Sequence, residues 1–174
     1  MEATKLGSNS KKLTLATLFG VMIFLSKVAL PSPIDKAFII FQATLLSLGH
    51  LILGMPGAAY ISLVGGLLTA LVRAPLAFFT ITFALLYGLM IDVTSSIFKV
   101  REGQENVRTG RVIIAVTVST AVVGLIGYYT SVALQLLPRN PVLEISILIA
   151  GVINGVAGGF LSVMIWRRVF KRSR

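Results

Sequence analysis

The chain has 174 residues, of which 56% are hydrophobic and only 13% are charged, and its mean hydropathy is +0.92. Soluble domains carry about 25% charged residues, so this composition excludes an ordinary soluble domain and predicts an integral membrane protein. The absence of cysteine excludes disulfides, thiolate metal sites and cysteine nucleophiles. The formal net charge of +10 lies almost wholly in the two ends and one loop. This placement indicates membrane orientation and contact with the anionic lipid bilayer surface, and no nucleic-acid binding.

Six apolar stretches follow one another along the chain, separated by proline- and glycine-rich breakers or by polar residues. The first follows polar residues 1–12 and lacks the small-residue cleavage site of a signal peptide, so we expect it to be retained. In lipid, helices satisfy the backbone hydrogen bonds of such stretches internally. The sequence therefore predicts an all-α bundle of six transmembrane helices, at residues 13–30, 36–53, 58–72, 75–98, 112–137 and 142–166.

The second and third predicted spans are short. A helix rises 1.5 Å per residue and needs about 20 residues to cross about 30 Å of hydrocarbon. Residues 36–53 and 58–72 fall below that length. A re-entrant hairpin within a four-span protein of the same orientation is therefore the alternative to six full spans.

Lysine and arginine counts orient the predicted bundle. Twelve of these residues lie in 1–12, 99–111 and 167–174, whereas the loops of the opposite side contain Lys36, Arg73 and Arg139. The positive-inside rule then places both termini in the cytoplasm of a cell-membrane protein. We expect one transmembrane domain over residues 1–174, with cytoplasmic segments at 1–12, 99–111 and 167–174.

Two ionisable residues lie on the inner side of the predicted spans, where polar groups are costly and each is a candidate site. Asp92 lies well inside the fourth span, and we expect it to pair with a base from residues 99–111; proton or cation coupling is the alternative. His50 is the one histidine, and without further nitrogen or sulfur ligands it makes no metal site. We expect it to serve structural packing, as serines and threonines in spans usually do.

Several polar residues lie on the outer side or near the middle. Lys27 either reaches the outer headgroups or faces a cavity, where it would pair with a substrate anion or with Asp35. Arg73 either anchors the rim or clamps an anion at the mouth of a pocket. Gln42 binds either a polar ligand or a neighbouring helix. Asn154, in the middle of the sixth span, faces another helix or a cavity, and four nearby glycines indicate tight helix packing there.

Enzymatic motifs are missing from the sequence. It contains no G-x-x-x-x-G-K-[ST] loop, no G-x-S-x-G elbow and no H-E-x-x-H helix. We therefore expect no nucleotide hydrolysis by this chain, no catalytic residues and no cofactor.

One stretch resembles a known family. The pattern P-G-A-x-Y-x-x-L-x-G-G extends from Pro56 to Gly66, and Tyr87-Gly88 and Asp92 follow in the fourth span. Together with the length, the six predicted spans and the short loops, this pattern resembles the substrate-binding S components of energy-coupling factor (ECF) transporters. The resemblance implies capture of a vitamin or related small molecule on the outer face, and delivery through a coupling transmembrane subunit driven by two cytoplasmic ATPases.

The same resemblance implies a set of site residues, by location only. The family's pocket lies near the outer face and is built from helices four to six and the outer loops. The implied pocket residues here are Thr80, Thr82, Tyr128, Tyr129, Gln135 and Asn154, with Arg73 and Arg139 at the rim. Tyr128 and Tyr129 are adjacent on a helix, so at most one would face a central cavity. Such a set, with few charges, suits a neutral heteroaromatic or polar vitamin.

The resemblance also implies a docking face on the first helix. The family usually carries Ala-x-x-x-Ala there, and this chain has Ala16-x-x-x-Gly20. Other functions stay open: a small secondary transporter or channel subunit acting as an oligomer, a membrane assembly protein without a ligand, and, third, an intramembrane enzyme.

Overall fold

The computed structural model describes residues 2–29, 39–102 and 106–170. These residues form six α-helices, so the all-α class is confirmed. A 3₁₀ turn over Ala74–Leu76 precedes the fourth helix, and a π-helical turn over Trp166–Phe170 extends the sixth. The helices are α1 (Glu2–Ala29), α2 (Ile39–Leu53), α3 (Gly57–Val72), α4 (Ala77–Ile97), α5 (Thr109–Ala133) and α6 (Pro141–Ile165).

Helix boundaries differ from the predicted spans mainly at three places. Helix α1 begins at Glu2 and includes nearly all of the polar N-terminal segment. Helix α5 ends at Ala133, four residues early, because Gln135 adopts a left-handed backbone conformation with φ 58°. In the predicted 99–111 loop, Arg101–Glu102 and Asn106–Val107 pair as two short antiparallel strands, and α5 already begins at Thr109. Residues 36–38 of the second predicted span lie outside the described residues.

Three helices are long and apolar enough to cross a membrane: Ala77–Ile97, Thr109–Ala133 and Pro141–Val169. About a third of each apolar window is buried inside the molecule. The outward surface carries large apolar side chains such as Phe78, Ile97 and Val142, which are more than two-thirds exposed. A continuous apolar exterior of this kind fits contact with lipid and indicates a membrane protein.

Helix α2 lies at the centre of the bundle. Its ten consecutive residues from Gln42 to Leu51 are all buried, and it contacts each of the other five helices. A helix that is buried all round has no lipid-facing side. The strongly apolar composition of α2 therefore serves packing inside the bundle.

Helices α5 and α6 form the closest pair, and three glycines of α6 make the contact. Gly151, Gly155 and Gly159 lie one turn apart, and they face Ala121, Thr117 and Ile113 of α5 in antiparallel register. A Cβ atom added at Gly151 or Gly159 would lie 3.0 or 2.9 Å from the facing Cα atom, and one at Gly155 would overlap the Cα of Thr117. The sequence indicated tight packing at these glycines, and the structure identifies α5 as the partner.

We predict that Gly155→Ala destabilises the protein by about 1–3 kcal/mol, because the new methyl group must push two backbones apart. Gly110→Ala is the matched control, since nothing lies within 4 Å of a Cβ atom at that position. Thermal unfolding in detergent measures the effect. Equal midpoints for the two variants would contradict the glycine contact between α5 and α6.

Candidate functional site

A cavity of about 560 Å³ lies between the helices and is lined by residues from all six of them. Its lining comes from the last turns of α1 and α3, the first turns of α2 and α4, the second half of α5 and the first half of α6. These segments meet at the end of the bundle where α3 leads into α4 and α5 leads into α6, which we call the mouth end. The volume lies within the range of about 300–1,000 Å³ that small-molecule sites occupy.

The structure brings three of the predicted pocket residues together on the cavity wall. They are Arg73, just after α3, Thr80, in the first turn of α4, and Asn154, in the middle of α6. Lys27 and Gln42, for which a cavity was one of two predicted positions, also line it. Asp35, the alternative partner of Lys27, lies outside the described residues. Binding by these side chains stays a prediction.

The other predicted pocket residues are not among the described residues that line the cavity. Thr82 donates a hydrogen bond to the carbonyl of Phe78 in its own helix, at 2.8 Å. The Tyr128 hydroxyl bonds both to the backbone N–H of Asn140 (2.9 Å) and to its carbonyl (3.0 Å). Tyr128 therefore fixes the connection between α5 and α6, and it does not face the cavity.

Tyr129 and Gln135 occupy the outside of the same region. The Tyr129 hydroxyl donates to Oε1 of Glu144, at 2.5 Å, and its ring is half exposed. Gln135 is exposed in the turn after α5. Arg139, predicted at the rim, is also exposed and is not part of the described lining.

Sequence reasoning missed an aromatic row on α4. Phe79, Phe83 and Tyr87 lie four residues apart, so they share one face of the helix, and all three line the cavity. The spacing was readable in the sequence. The sequence alone did not assign this row to a cavity, because the hydrophobic pattern of α4 does not show which face of the helix points inward.

The polar groups of the cavity fall into two classes. One class is satisfied within the protein: the Tyr87 hydroxyl bonds Thr120 Oγ1 at 2.8 Å, and Thr69 Oγ1 donates to the carbonyl of Gly65 at 2.7 Å. The other class comprises the amides of Gln42 and Asn154 and the hydroxyl of Thr80, which have no hydrogen-bond partner among the residues that the structure describes. An amide without a partner inside an apolar cavity is costly unless water or a ligand bonds it.

A second polar centre lies at the opposite end of the bundle, where His50 and Asp92 meet. Nδ1 of His50 lies 2.7 Å from Oδ1 of Asp92, and the two side chains are 7% and 0% exposed. The same carboxylate accepts backbone N–H groups at the start of α3, from Ala58 at 3.3 Å and from Ala59 at 2.9 Å. The predicted pairing of Asp92 with a base from residues 99–111 is therefore wrong, because His50 and the amino-terminal end of α3 take the carboxylate.

Local sequence explains why Asp92 reaches α3. The N-cap position of α3 is Pro56, which has no side chain that accepts a hydrogen bond. Gly88, one turn before Asp92, lies so close to α3 that an added Cβ atom would come within 2.6 Å of the Ala58 carbonyl oxygen. The short aspartate side chain can therefore replace the missing cap, and the positive end of the helix dipole stabilises its charge.

The two small residues predicted to dock a partner lie inside the chain. Ala16 is fully buried, and a Cβ atom added to Gly20 would lie 2.8 Å from Val64 of α3. This face of α1 thus packs on α3. Docking of another subunit on Ala16 and Gly20 stays a prediction, and it would have to involve this packed contact.

Most serines and threonines of the helices serve internal packing, as expected. Thr120 bonds the carbonyl four residues earlier in α5, and Ser47 of α2 bonds Ser162 of α6 at 3.0 Å. Thr117 is an exception, because its buried Oγ1 has no hydrogen-bond partner among the described residues. Within those residues no group of three or more histidine or acidic side chains is placed to hold a metal ion.

We predict that Asp92→Asn destabilises the protein by about 3 kcal/mol, because it removes the buried charge that His50 and the start of α3 share. His50→Gln and the double variant complete a cycle, and their effects should be non-additive by about 1 kcal/mol or more. Unfolding in detergent measures each variant.

Glu144→Gln is the control for Asp92→Asn, since Glu144 is partly exposed and should change stability little. Additive effects of the His50 and Asp92 substitutions would contradict the pairing.

Comparison with protein families, with curated proteins and with solved structures finds no match for this chain. The features of this chain that bear on function are the cavity, the two amides that face it and the charges at its mouth.

Proposed function

We propose that this chain is the substrate-capture subunit of a membrane importer, of the kind that the S components of ECF transporters represent. It takes a small water-soluble molecule into the cavity from the outer face of the cell membrane. It then presents the molecule to a coupling transmembrane subunit that two cytoplasmic ATPases drive.

The observation that carries this proposal is the pairing of an apolar cavity with two unsatisfied amides. Gln42 on α2 and Asn154 on α6 present donors and acceptors to a space that otherwise consists largely of apolar side chains and glycine. Ligand sites have this composition, in which apolar walls supply affinity and a few polar groups fix orientation. A cavity that only resulted from imperfect packing would not need amide side chains in its wall.

The arrangement of the helices also suits capture. The cavity lies at the mouth end, and the His50–Asp92 pair holds α2, α3 and α4 together at the other end. A bundle fixed at one end can adjust its helix ends around a ligand at the other, with its core unchanged. Gln42 and His50 lie on the same central helix, so that helix connects the ligand to the opposite end of the bundle.

The resemblance noted in the sequence supports the same proposal. Its residues converge in the structure: Gly57 and Ala58 begin α3, and Gly88 and Asp92 of α4 pack on that beginning. The P-G-A opening and the Gly88 and Asp92 positions thus have one shared physical reason, which is close contact between α3 and α4.

We predict that the purified chain binds a small molecule from a metabolite extract of its source cells, visible as added mass in native mass spectrometry. Gln42→Leu and Asn154→Leu should each weaken binding at least tenfold, because each removes hydrogen bonds that the ligand needs inside the cavity. Gln135→Leu removes an exposed amide of the same end and should leave binding unchanged.

Purification from native membranes tests the importer role separately. The proposal expects a coupling membrane subunit and two ATPases to accompany the chain. A homo-oligomer without them, indicating a secondary transporter or channel subunit, would contradict the proposal. Absence of any bound molecule, as for an assembly protein, would contradict it as well.

A further inference from the structure

The charges that line the cavity are all of one sign in the part of the chain that the structure describes. Lys27 and Arg73 contribute two cations, and none of the described lining residues is acidic. Arg73 is exposed at the mouth, and Lys27 is half-buried. A cavity with this balance attracts a ligand that carries negative charge.

Arg73 is held in place at the mouth. One of its Nη2 hydrogens is donated to the carbonyl oxygen of Lys27, at 2.8 Å. That carbonyl is in the last turn of α1, where carbonyl groups have no partner within the helix. A guanidinium has five N–H donors in one plane, so this bond fixes the group and leaves donors that match a carboxylate or phosphate.

The start of α4 adds to the positive electrostatic potential at the mouth of the cavity. Phe79 and Thr80 lie in its first turn and line the cavity. The amino-terminal end of a helix carries partial positive charge, which favours an anion nearby. Arg73 directly precedes the turn that leads into this helix, so the guanidinium and the helix end lie close together along the chain.

Aromatic side chains and glycines line the body of the cavity. The row Phe79, Phe83 and Tyr87 of α4 lies on one wall, and Gly124 and Gly127 of α5 contribute surface without side chains. An added Cβ atom at Gly127 would be 3.8 Å from Cε1 of Phe83, so Gly127 lies beside this aromatic row. Aromatic rings pack well on such a row, with centroids about 4.5–7 Å apart.

We infer that the ligand is a small flat anion: an aromatic or heteroaromatic ring that bears a carboxylate or a phosphate. The oxyanion binds Arg73 at the mouth, the ring packs along Phe79, Phe83 and Tyr87, and Gln42 and Asn154 bond its polar edge. This inference rests on the proposed function and names its ligand class. It replaces the neutral ligand expected from the sequence, because Tyr128, Tyr129 and Gln135 lie outside the cavity and Lys27 lies inside it.

Simple probes separate charge from shape. The full chain in detergent is titrated with benzoate, phenyl phosphate, neutral benzamide and the non-planar anion cyclohexanecarboxylate, with saturation-transfer NMR as the readout. Benzoate or phenyl phosphate should bind at least tenfold more tightly than benzamide, and benzoate more tightly than cyclohexanecarboxylate.

Substitutions test whether Arg73 is the cation that binds the anionic group of the ligand. Arg73→Gln should weaken anion binding at least tenfold and leave benzamide binding unchanged. Arg73→Lys should retain most of the affinity, which also shows that the fold tolerates change there. Arg139→Gln is the matched control, because it removes an exposed cation of the same end that is outside the described lining.

Four results would overturn the inference: benzamide binding as tightly as the anions, no binding of either aromatic anion, cyclohexanecarboxylate binding as tightly as benzoate, or equal effects of Arg73→Gln and Arg139→Gln. Displacement of phenyl phosphate by phosphatidylglycerol would also overturn it, since the site would then hold a lipid headgroup. The proposed function survives each of these results as long as the chain still binds a molecule from cell extract. If the chain binds no such molecule, both the proposed function and the inferred ligand class are contradicted.

Discussion

The carboxylate of Asp92 holds the bundle together where three helices meet. It lies fully buried, bonds Nδ1 of His50 on α2, and accepts two N–H groups at the start of α3. A buried charge persists only where such partners compensate for lost hydration. Pro56 leaves the start of α3 without a side-chain cap. The carboxylate therefore supplies the missing hydrogen-bond acceptor, and the helix end supplies N–H donors to the buried charge. Gly88 keeps α3 and α4 close enough for this contact.

The position of α2 follows from that centre. His50 ties one end of α2 to α4, and Gly158 and Ser162 of α6 pack on its other side through Ala43 and Ser47. With α2 enclosed, the first turns of this helix and the surrounding helix ends form the cavity at the mouth end. The protein therefore has a rigid polar contact at one end and a site with unsatisfied polar groups at the other. This division is what a capture subunit requires, because the ligand has to enter and leave while the core stays assembled.

Much of the fold was predictable from the sequence. Long apolar runs and proline or glycine breakers located the six helices, since hydrocarbon length and backbone hydrogen bonding constrain them strongly. The centrality of α2 was not predictable, because an apolar helix that faces lipid and one that is buried all round have similar composition. For the same reason the pairing of His50 with Asp92 was missed: the two residues are 42 positions apart, and no local pattern links them.

The site was predicted in part. Arg73, Thr80 and Asn154 are on the cavity wall, and their outer or central position in the spans was the signal. Tyr128 and Tyr129 have the same depth but bond Asn140 and Glu144. The sequence shows how deep a residue lies along a transmembrane helix. It does not show which side of the helix faces the cavity, because that depends on the neighbouring helices. The apolar residues of α5 have little helical periodicity that would indicate its inward face.

In the proposed orientation the cavity opens to the outside, and the end of the bundle with the two short strands faces the cytoplasm. Single-cysteine labelling tests this orientation. The chain contains no cysteine, so Asn154→Cys and Lys99→Cys each introduce one thiol. A membrane-impermeant maleimide should label the Asn154→Cys variant in intact cells and the Lys99→Cys variant only after permeabilisation. The reverse pattern, or an Asn154→Cys thiol that reacts from neither side, would contradict the account.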